Sequence, residues 1–201
     1  SPPVPMVLAI HDVSYAAHPE WFGWREGARR RTTTTLAARS AAAVVTISHF
    51  SKREIAAHSG VAPDRIAVVY PGITRPTDAP SAVREPRILY VGSVFNRRHV
   101  VNLVHAFDVV ADAIPDARLD LVGHNRTHPY IDVSGVIASS RFADRIAAQD
   151  WVTEETLRDL HRRASVFAFL SEYEGFGLTP LEALACGVPP VLLDKIGRAH
   201  V

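Results

Sequence analysis

The chain has 201 residues, of which 47% are apolar and 21% charged, with a formal net charge of +1. This composition suits one globular domain or two small ones, and the near-neutral balance argues against nucleic acid as a partner. A single cysteine, Cys186, excludes an intramolecular disulfide and a cysteine-rich zinc site, and no apolar run reaches the length of a membrane span.

The first part of the chain alternates predicted strands and helices. Met6 to Ile10 is a short apolar run that predicts a buried strand, and a polar loop over 11–24 follows. A basic helix is predicted from Arg25 to Ser40, although its four consecutive threonines are weak helix formers. The next predicted elements are a strand over 43–47, a helix from the capping box Ser51-Lys-Arg-Glu54 to Gly60, and a strand over 66–69.

A change in composition separates this part from the rest. Ile73 to Pro86 contains three prolines and little apolar pattern, which is typical of an interdomain linker. We therefore expect residues 1–72 to belong to a first domain and residues 87–195 to a second one.

The second part repeats the alternation more regularly. Strands are predicted over 87–91, 119–122, 166–170 and 188–193, and residues 131–146 are interpreted as a helix and a loop. Helices are predicted from Val100 to Pro115, after the cap Thr153, and over 179–185 with Gly187 as the stop. Such alternation implies a parallel sheet covered on both faces, with ligands beyond the carboxyl ends of the strands. Three loops lie at that edge: 92–99, 123–130 and 171–179.

Both ends of the chain are unusual for a natural protein. Residue 1 is Ser and leads almost at once into the first predicted strand. The last six residues, 196–201, match a translated sequencing-adapter read-through, so we set them aside as a non-native tail. The alternative is a genuine short C-terminus.

The loop after the strand over 166–170 carries the most chemical information. Gly175 and Gly177 let the backbone approach a ligand closely. A helix that begins at Pro180 offers free N–H groups to an anion such as a diphosphate. Glu174 and Glu182 flank this loop, and carboxylates beside a phosphate site are suited to accept hydrogen bonds from sugar hydroxyls.

Spacing alone leaves other interpretations of these two glutamates open. Thr179-Pro-Leu-Glu182 is itself a capping box, in which Glu182 would only complete the start of a helix. Glu174 taken alone is equally well a solvated loop charge.

The run Glu174-Gly-Phe-Gly-Leu-Thr-Pro-Leu-Glu182-Ala-Leu-Ala-Cys-Gly-Val-Pro resembles the signature of glycosyltransferase family 4, two glutamates separated by seven residues around Gly-Phe-Gly. The resemblance covers about residues 6–195. Ile10-His-Asp-Val, Val69-Tyr-Pro-Gly-Ile and Tyr90-Val-Gly-Ser-Val-Phe-Asn-Arg-Arg also carry it. It implies an α/β fold of the GT-B class, two Rossmann-like domains facing across a cleft, here with the first domain incomplete and the second lacking its last elements.

The resemblance implies a retaining hexosyl transfer. The donor would be a nucleoside-diphosphate sugar and the acceptor a glycan or a lipid-linked glycan, in the cytoplasm and without a bound metal or other cofactor. GDP-mannose is the favoured donor, because Val91-Gly-Ser followed by Arg97-Arg98 resembles the opening of bacterial mannosyltransferases. A UDP-sugar is the alternative. The second domain is expected to bind the donor and the first mainly the acceptor.

The resemblance also implies roles for individual residues. Glu182 is expected to bind the ribose and Glu174 the transferred sugar. Arg98, with Arg97 before it, is expected to bind the phosphates, and His11 to face the donor sugar. The catalytic set is then Glu174, His11 and Arg98. The remaining donor contacts are expected at loop and backbone positions: Gly92, Ser93, Phe176, Gly177, Leu178 and Val152.

One of these positions departs from the family pattern, and several of the residues have other interpretations. Ser93 stands where the family often has Arg, which puts the strength of phosphate binding in doubt. Exposed arginine pairs are usually solvated, His11 alone would be interpreted as a loop cap, and Trp151 before Val152 is equally suited to a core.

The sequence also bears on functions other than sugar transfer. A non-catalytic sugar-nucleotide-binding relative is disfavoured because Glu174, Glu182, Arg98 and His11 are all present, and a dehydrogenase because Gly-x-Gly-x-x-Gly is missing. An inactive fragment is the further alternative, since a chain truncated in this way is expected to bind nucleotide weakly without transferring sugar. The arginines of the basic helix suit contact with an anionic membrane or simple solvation: Arg25, Arg29, Arg30, Arg31 and Arg39.

Overall fold

The structure is a computed structural model, and it describes residues 4–74 and 83–194. Contacts within the chain divide it into two units. Unit 1 comprises residues 1–72, 173–177 and 195–201, and unit 2 comprises residues 73–172 and 178–194. Residues 75–82 of the predicted linker, and the predicted tail over 196–201, lie outside the described residues.

The described residues of unit 1 form a three-stranded parallel sheet and three helices. The strands stand in chain order: β1 (Val7–Ala9), β2 (Ala43–Thr46) and β3 (Ile66–Val68). The helices are α1 (Ser14–Ala17), α2 (Trp24–Ser40) and α3 (His49–Ser59). Ala38 of α2, Val44 of β2 and Ile55 of α3 share one buried core, so the two longer helices pack on the sheet. The predicted basic helix is confirmed despite its threonines.

The prediction that the first strand is buried is wrong. Val7 is 63% exposed, whereas Ile10, just after β1, is 6% exposed. The physical reason is that β1 pairs only with β2 among the described strands and therefore stands at the edge of the sheet.

The predicted capping box of α3 is also wrong. The N-cap is Ser48, whose Oγ accepts a hydrogen bond from Ser51 N at 2.9 Å, and Ser51 lies inside the helix. Both serines suit a cap by residue type, and the glutamate three residues after Ser51 favoured the wrong one. Gly60 ends the helix as predicted, with a left-handed φ of 69°.

In unit 2, the part of the chain that the structure describes forms a five-stranded parallel sheet and four helices. Its strands are β4 (Arg87–Val91), β5 (Arg118–Val122), β6 (Ile146–Gln149), β7 (Val166–Phe169) and β8 (Pro190–Leu192). They stand in the order β6-β5-β4-β7-β8. Its helices are α4 (Val100–Ala113), α5 (Val133–Ser139), α6 (Glu154–Arg163) and α7 (Leu178–Ala185). The predicted parallel α/β architecture is confirmed.

The helical spacing predicted for α4 matches its buried face. Leu103, Val104 and Phe107 are buried and pack in one core with Leu89 of β4 and Phe167 of β7. The predicted cap of α6 is confirmed as well, since the Thr153 side chain accepts a hydrogen bond from the backbone of the third residue after it. Strand β6 was not predicted: after Ile146 it consists of Ala, Ala and Gln, which give little strand signal, and these three are exposed at the sheet edge.

Arg84 and Glu85, just before β4, form hydrogen bonds and ion pairs with other residues of unit 2. The Arg84 guanidinium donates to the carbonyl oxygens of Ala164 at 2.8 Å and Cys186 at 3.0 Å, and so satisfies carbonyls at the C-terminal ends of both α6 and α7. Glu85 accepts hydrogen bonds from Arg163 at 2.6 and 3.0 Å and from Arg87 at 3.0 Å. The Arg163 bond is the main reason that the pKa of Glu85 falls to about 2. The end of the predicted linker therefore packs with unit 2.

Helix α6 carries a buried histidine that resists protonation. The Nδ1 atom of His161 lies 3.0 Å from Leu157 O, while Nε2 is buried without a hydrogen-bond partner in the part of the chain described. Burial lowers the pKa of His161 below its usual value. The unfolded chain binds this proton more readily, so stability is expected to fall as the pH drops below about 6.5.

Replacing His161 by phenylalanine is expected to raise the free energy of unfolding by about 1 kcal/mol at neutral pH, because it removes a buried nitrogen without a partner. The advantage should grow below pH 6.5, where only the wild type must exclude a proton that its unfolded chain binds. Urea denaturation at several pH values measures both effects.

A matched control is His105→Gln, which removes an exposed histidine from α4. It should leave the wild-type pH dependence unchanged. If His161→Phe kept that same dependence, another group would be responsible for the loss at low pH.

Candidate active site

The strand order of unit 2 places one switch point in its sheet. From β4 the chain proceeds through β5 to β6 on one side, and β7 and β8 stand on the other side. Parallel sheets of this kind bind ligands where the order reverses, beyond the carboxyl ends of the two strands concerned. Here those strands are β4 and β7, which pair directly, with Leu89 opposite Phe167. The loop that follows β4 contains four of the predicted donor contacts.

Glycine shapes the start of that loop. Gly92 has a φ of 140°, and a Cβ atom there would lie 2.6 Å from Nη1 of Arg98. Ser93 contributes its carbonyl oxygen, which accepts hydrogen bonds from Arg98 Nη1 and from the hydroxyl of Tyr90, both at 3.0 Å. The residue that departs from the family pattern therefore supports the neighbouring arginine through its backbone.

Arg98 is packed between aromatic rings. Its guanidinium carbon lies 5.2 Å from the ring centre of Phe169 and 5.4 Å from that of Phe95, and the side chain is half-buried. Such stacking holds the planar cation in place and is favourable in itself. The Arg97 guanidinium also lies over Phe95, 4.2 Å from the ring centre. Both predicted phosphate ligands belong to one short turn, Asn96–Arg98, and both contact the same ring.

This turn is joined to the residues that follow β7. Glu172 N donates to Arg97 O at 2.9 Å, and the Glu172 carboxylate is in contact with Nε2 of His99. His99 has a φ of 50° and a ψ of 36°, the left-handed conformation that costs a non-glycine residue about 1–2 kcal/mol. Neither His99 nor Glu172 was predicted as a site residue. Only the three-dimensional pairing of two distant loops identifies them.

The start of helix α7 excludes one interpretation of Glu182, while its predicted role toward the ribose stays a prediction. The helix begins at Leu178, so Pro180 is its third residue instead of its first, and Thr179 lies inside it. Thr179 therefore cannot be the N-cap, and the capping-box interpretation of Glu182 is wrong. Glu182 reaches solvent, yet neighbouring protein atoms desolvate its carboxyl enough to raise its pKa. Glu182 is the fifth residue of this eight-residue helix, and its exposed carboxylate is accessible to a ligand.

The residues after β6 lie at the same carboxyl edge. Trp151 is 70% exposed, which contradicts the alternative that it belongs to the core, and Val152 is half-buried. His124, which follows β5, pairs with Asp150 at 3.2 Å. Val152 packs against the core of unit 2 and follows a strand end at the edge where parallel sheets bind ligands, so its predicted donor contact stays a prediction.

The other predicted site residues belong to unit 1, which includes the segment 173–177. His11 is exposed and follows β1 closely. Its carbonyl oxygen accepts a hydrogen bond from Ser51 Oγ at 2.8 Å, and a Cβ atom at Gly175 would lie 2.6 Å from the same oxygen. Ser48 Oγ donates to Gly175 O at 2.5 Å. The structure thus brings His11 and the Gly-Phe-Gly segment together, and the glycine permits that approach.

Tyr173 anchors this segment in unit 1. Its ring contacts those of His18, Trp21 and Phe50 at centre distances of 5.2, 6.1 and 5.1 Å, and its hydroxyl donates to Glu54 at 3.2 Å. Burial, followed by the nearby Glu54 carboxylate, holds the pKa of Tyr173 above its ordinary value, so the hydroxyl stays protonated as a donor.

The remaining predicted residues of unit 1 flank Gly175. Phe176 faces Tyr70 with ring centres 5.9 Å apart, and Glu174 and Gly177 are half-buried. Their roles toward a donor sugar stay predictions.

The described ranges, 4–74 and 83–194, hold no group of three or more His, Cys, Asp or Glu side chains placed to bind a metal ion. No helix within them has the length and apolar character needed to cross a membrane.

Comparison with known proteins identifies the family. A profile described as Glycosyl transferases group 1 matches residues 76–201, which is more than half of the chain. The chain belongs to the glycosyl transferases group 1 family. A second profile, described as Glycosyltransferase Family 4, matches residues 1–77 of this glycosyltransferase. The resemblance stated from the signature around Glu174 and Glu182 is confirmed.

Similar proteins include bacterial glycosyltransferases. A D-inositol 3-phosphate glycosyltransferase of Streptomyces bingchenggensis is 31% identical over 170 residues, covering 74% of this chain and 36% of that protein. A GDP-mannose:cellobiosyl-diphosphopolyprenol alpha-mannosyltransferase of Xanthomonas oryzae is 27% identical over 136 residues, covering 67% and 36%. Among the curated relatives that it matches, the chain spans between 24% and 42% of their length.

A solved structure supports the fold class. The crystal structure of WaaG, described as a glycosyltransferase involved in lipopolysaccharide biosynthesis, superposes with a TM-score of 0.74 at 19% identity. The match covers 98% of this glycosyltransferase and 59% of WaaG. The predicted GT-B fold is confirmed.

Proposed function

We propose that this glycosyltransferase moves a hexosyl group from a nucleoside-diphosphate sugar to a glycan or lipid-linked acceptor, with retention of the anomeric configuration. The observation that carries the proposal is the placement of Arg98 at the switch point of the unit 2 sheet, held by two rings and the Ser93 carbonyl. A fixed cation at that edge suits an anionic ligand, and the family performs chemistry with such ligands.

Arg98 would stabilise the leaving diphosphate. Cleavage of the bond between sugar and diphosphate leaves an additional negative charge on the terminal phosphate. A cation that is already in position stabilises this charge without reorganisation. The N-terminus of α7, with its free N–H groups, adds a positive electrostatic potential that also favours a diphosphate. Arginine and helix can therefore neutralise the leaving group without a bound metal, and we propose a metal-independent reaction.

Glu182 would bind the ribose hydroxyls of the nucleotide. Its carboxylate is an acceptor for two hydroxyl donors, and the structure leaves it without a capping duty. In Glu182→Gln we expect the dissociation constant of GDP or UDP to rise ten-fold or more, about 1.4 kcal/mol, because a charge-assisted bond to the ribose is lost. Isothermal titration measures the constant.

The control for Glu182→Gln is Glu155→Gln, an exposed glutamate in the first turn of α6. It should leave nucleotide affinity unchanged. Unaltered affinity in Glu182→Gln would contradict ribose binding, and a lower melting temperature with unaltered affinity would point to a purely structural role.

The sugar side of the reaction is proposed for unit 1. His11 and the segment that carries Glu174, Phe176 and Gly177 pack together there. Glu174 would bind hydroxyls of the transferred hexose, and His11 would face its reacting carbon. The backbone of Phe176 and Gly177 would lie along the sugar and the diphosphate, with that of Leu178, Gly92 and Val152 completing the donor contacts.

GDP-mannose is the donor that we favour. Support comes from the mannosyltransferase relative, whose name includes GDP-mannose, and from the Val91-Gly-Ser and Arg97-Arg98 pattern. A UDP-sugar is the alternative, since arginine and a helix start recognise a diphosphate whatever its base. Parallel titrations with GDP and UDP distinguish the two, and a donor-hydrolysis screen then identifies the sugar.

Contact with an anionic membrane, and a cytoplasmic location, stay predictions. Three of the five arginines of α2 are engaged within the protein. Arg31 donates to Tyr15 O at 3.4 Å, Arg39 donates to Ser59 O at 3.0 Å, and Arg30 pairs with Glu26 at 2.6 Å. Fewer cations are therefore available to a membrane than the sequence suggests, which favours the solvated-helix alternative.

A further inference from the structure

A strained histidine stands next to the proposed phosphate ligand. His99 is the non-glycine residue with positive φ in the described part of the chain, and it directly follows the turn Asn96–Arg98. Its N–H donates to Asn96 O at 3.1 Å, and its carbonyl oxygen accepts the Leu103 N–H at 3.0 Å. The conformation of His99 therefore determines how the arginine turn joins the first turn of α4.

Two contacts hold this arrangement from the loop after β7. The Glu172 carboxylate contacts Nε2 of His99, and Glu172 N donates to Arg97 O at 2.9 Å. Glu172 thus binds the residue on each side of Arg98. The turn between these two contacts has little freedom to shift, and the guanidinium is fixed in turn by Ser93 O and two rings.

Stability of the fold does not account for this pair. The side chains of His99 and Glu172 are 28% and 32% exposed, and ion pairs of such partly solvated groups contribute little to stability. The left-handed backbone of His99 works against folding. Residues held in an unfavourable backbone conformation that does not stabilise the fold are concentrated at functional sites, where the conformation maintains a required geometry.

We propose that His99 and Glu172 are positioning residues that hold Arg98 in place for the diphosphate of the donor. The proposal rests on the proposed function, because it assumes that Arg98 binds the phosphates. The pair touches no reacting atom. It acts by keeping the turn Asn96–Arg98 at a fixed distance from the end of β7, so that Arg98 reaches the diphosphate without first reorganising.

The test separates phosphate binding from general stability. GMP and GDP, and UMP and UDP, are titrated against the wild type and against Glu172→Ala, Glu172→Gln and His99→Gly. We expect Glu172→Ala and His99→Gly to weaken diphosphate binding by roughly ten-fold while changing monophosphate binding much less. Glu172→Gln should restore part of the diphosphate affinity, because its amide oxygen still accepts a hydrogen bond from the imidazole.

Thermal unfolding of the same variants provides the second measurement. His99→Gly should keep or raise the melting temperature, since glycine adopts the left-handed conformation freely. A control, Arg163→Ala, removes an ion pair with Glu85 elsewhere in unit 2 and should lower the melting temperature without changing the preference for diphosphate.

The outcomes distinguish the proposed phosphate site at Arg98 from the proposed positioning role of His99 and Glu172. A wild type that binds neither diphosphate in preference to its monophosphate overturns both the proposed phosphate site and the positioning role. If the wild type prefers the diphosphate and both Glu172→Ala and His99→Gly keep that preference in full, the positioning role alone is overturned. Equal losses for mono- and diphosphates would show a structural effect and would likewise contradict it.

Discussion

Replacing Arg98 by alanine is expected to lower the rate of sugar transfer by roughly two orders of magnitude, because it removes the charge that stabilises the leaving diphosphate. Where turnover is too slow to follow, the dissociation constant of GDP or UDP should rise instead. The guanidinium is already held over Phe95 and Phe169 and by the Ser93 carbonyl. Its contribution is therefore not reduced by the entropy of ordering a free side chain.

Arg97→Ala is the matched comparison. This arginine stacks on Phe95 at 4.2 Å, whereas the Ser93 carbonyl in the glycine-containing loop accepts a hydrogen bond from Arg98. We expect a smaller loss than in Arg98→Ala. A larger loss in Arg97→Ala than in Arg98→Ala would show that Arg97, and not Arg98, is the phosphate ligand. Equal and small effects would contradict a phosphate site in this turn.

Sequence patterns predicted most of the fold because its strands and helices bury regular apolar faces. β4 was predicted with its observed bounds, and α4 was predicted from spacing that its buried residues Leu103, Val104 and Phe107 share. The failures lie where periodicity is weak. β6 is a short edge strand of small and polar residues, and the cap of α3 required a choice between two serines of equal chemical merit.

The candidate site was predictable only in part. Residues that lie within a continuous signature, Glu174 to Glu182, could be proposed from the sequence through the family resemblance, as could the arginines after β4, and their roles stay predictions. The supporting contacts could not. Ser48 binds the Gly175 carbonyl from 127 positions away, and His99 meets Glu172 across 73. Side chains of ordinary type at such separations produce no local pattern, so only the fold brings them together.

Gly123→Ala is expected to be among the most destabilising single substitutions in unit 2. Gly123 follows β5 with a φ of 147°, and a Cβ atom there would lie 2.1 Å from Gly92 O and 2.6 Å from Gly92 C. Because these are backbone atoms, no side-chain rotation can relieve the overlap.

Either the loop after β4 or the loop after β5 must therefore move when Gly123 is replaced. The hydrogen bonds from Gly92 N to Val122 O and from Gly123 N to Gln149 O, both 2.8 Å, would be distorted with it. We expect a loss of about 3 kcal/mol or more in the free energy of unfolding, a large share of the stability of a typical domain.

Urea denaturation followed by circular dichroism measures the effect of Gly123→Ala, and Gly23→Ala is its control. Gly23 is the N-cap of α2 with a φ of −56°, and no atom lies within 4 Å of the position a Cβ would take. Alanine there should cost no more than about 1 kcal/mol, which reflects the preference for glycine over alanine at an N-cap. Because Gly92 also borders Arg98, any folded fraction of Gly123→Ala should bind GDP or UDP more weakly. A variant that unfolded at the wild-type urea concentration would show that the two loops approach less closely than the structure places them.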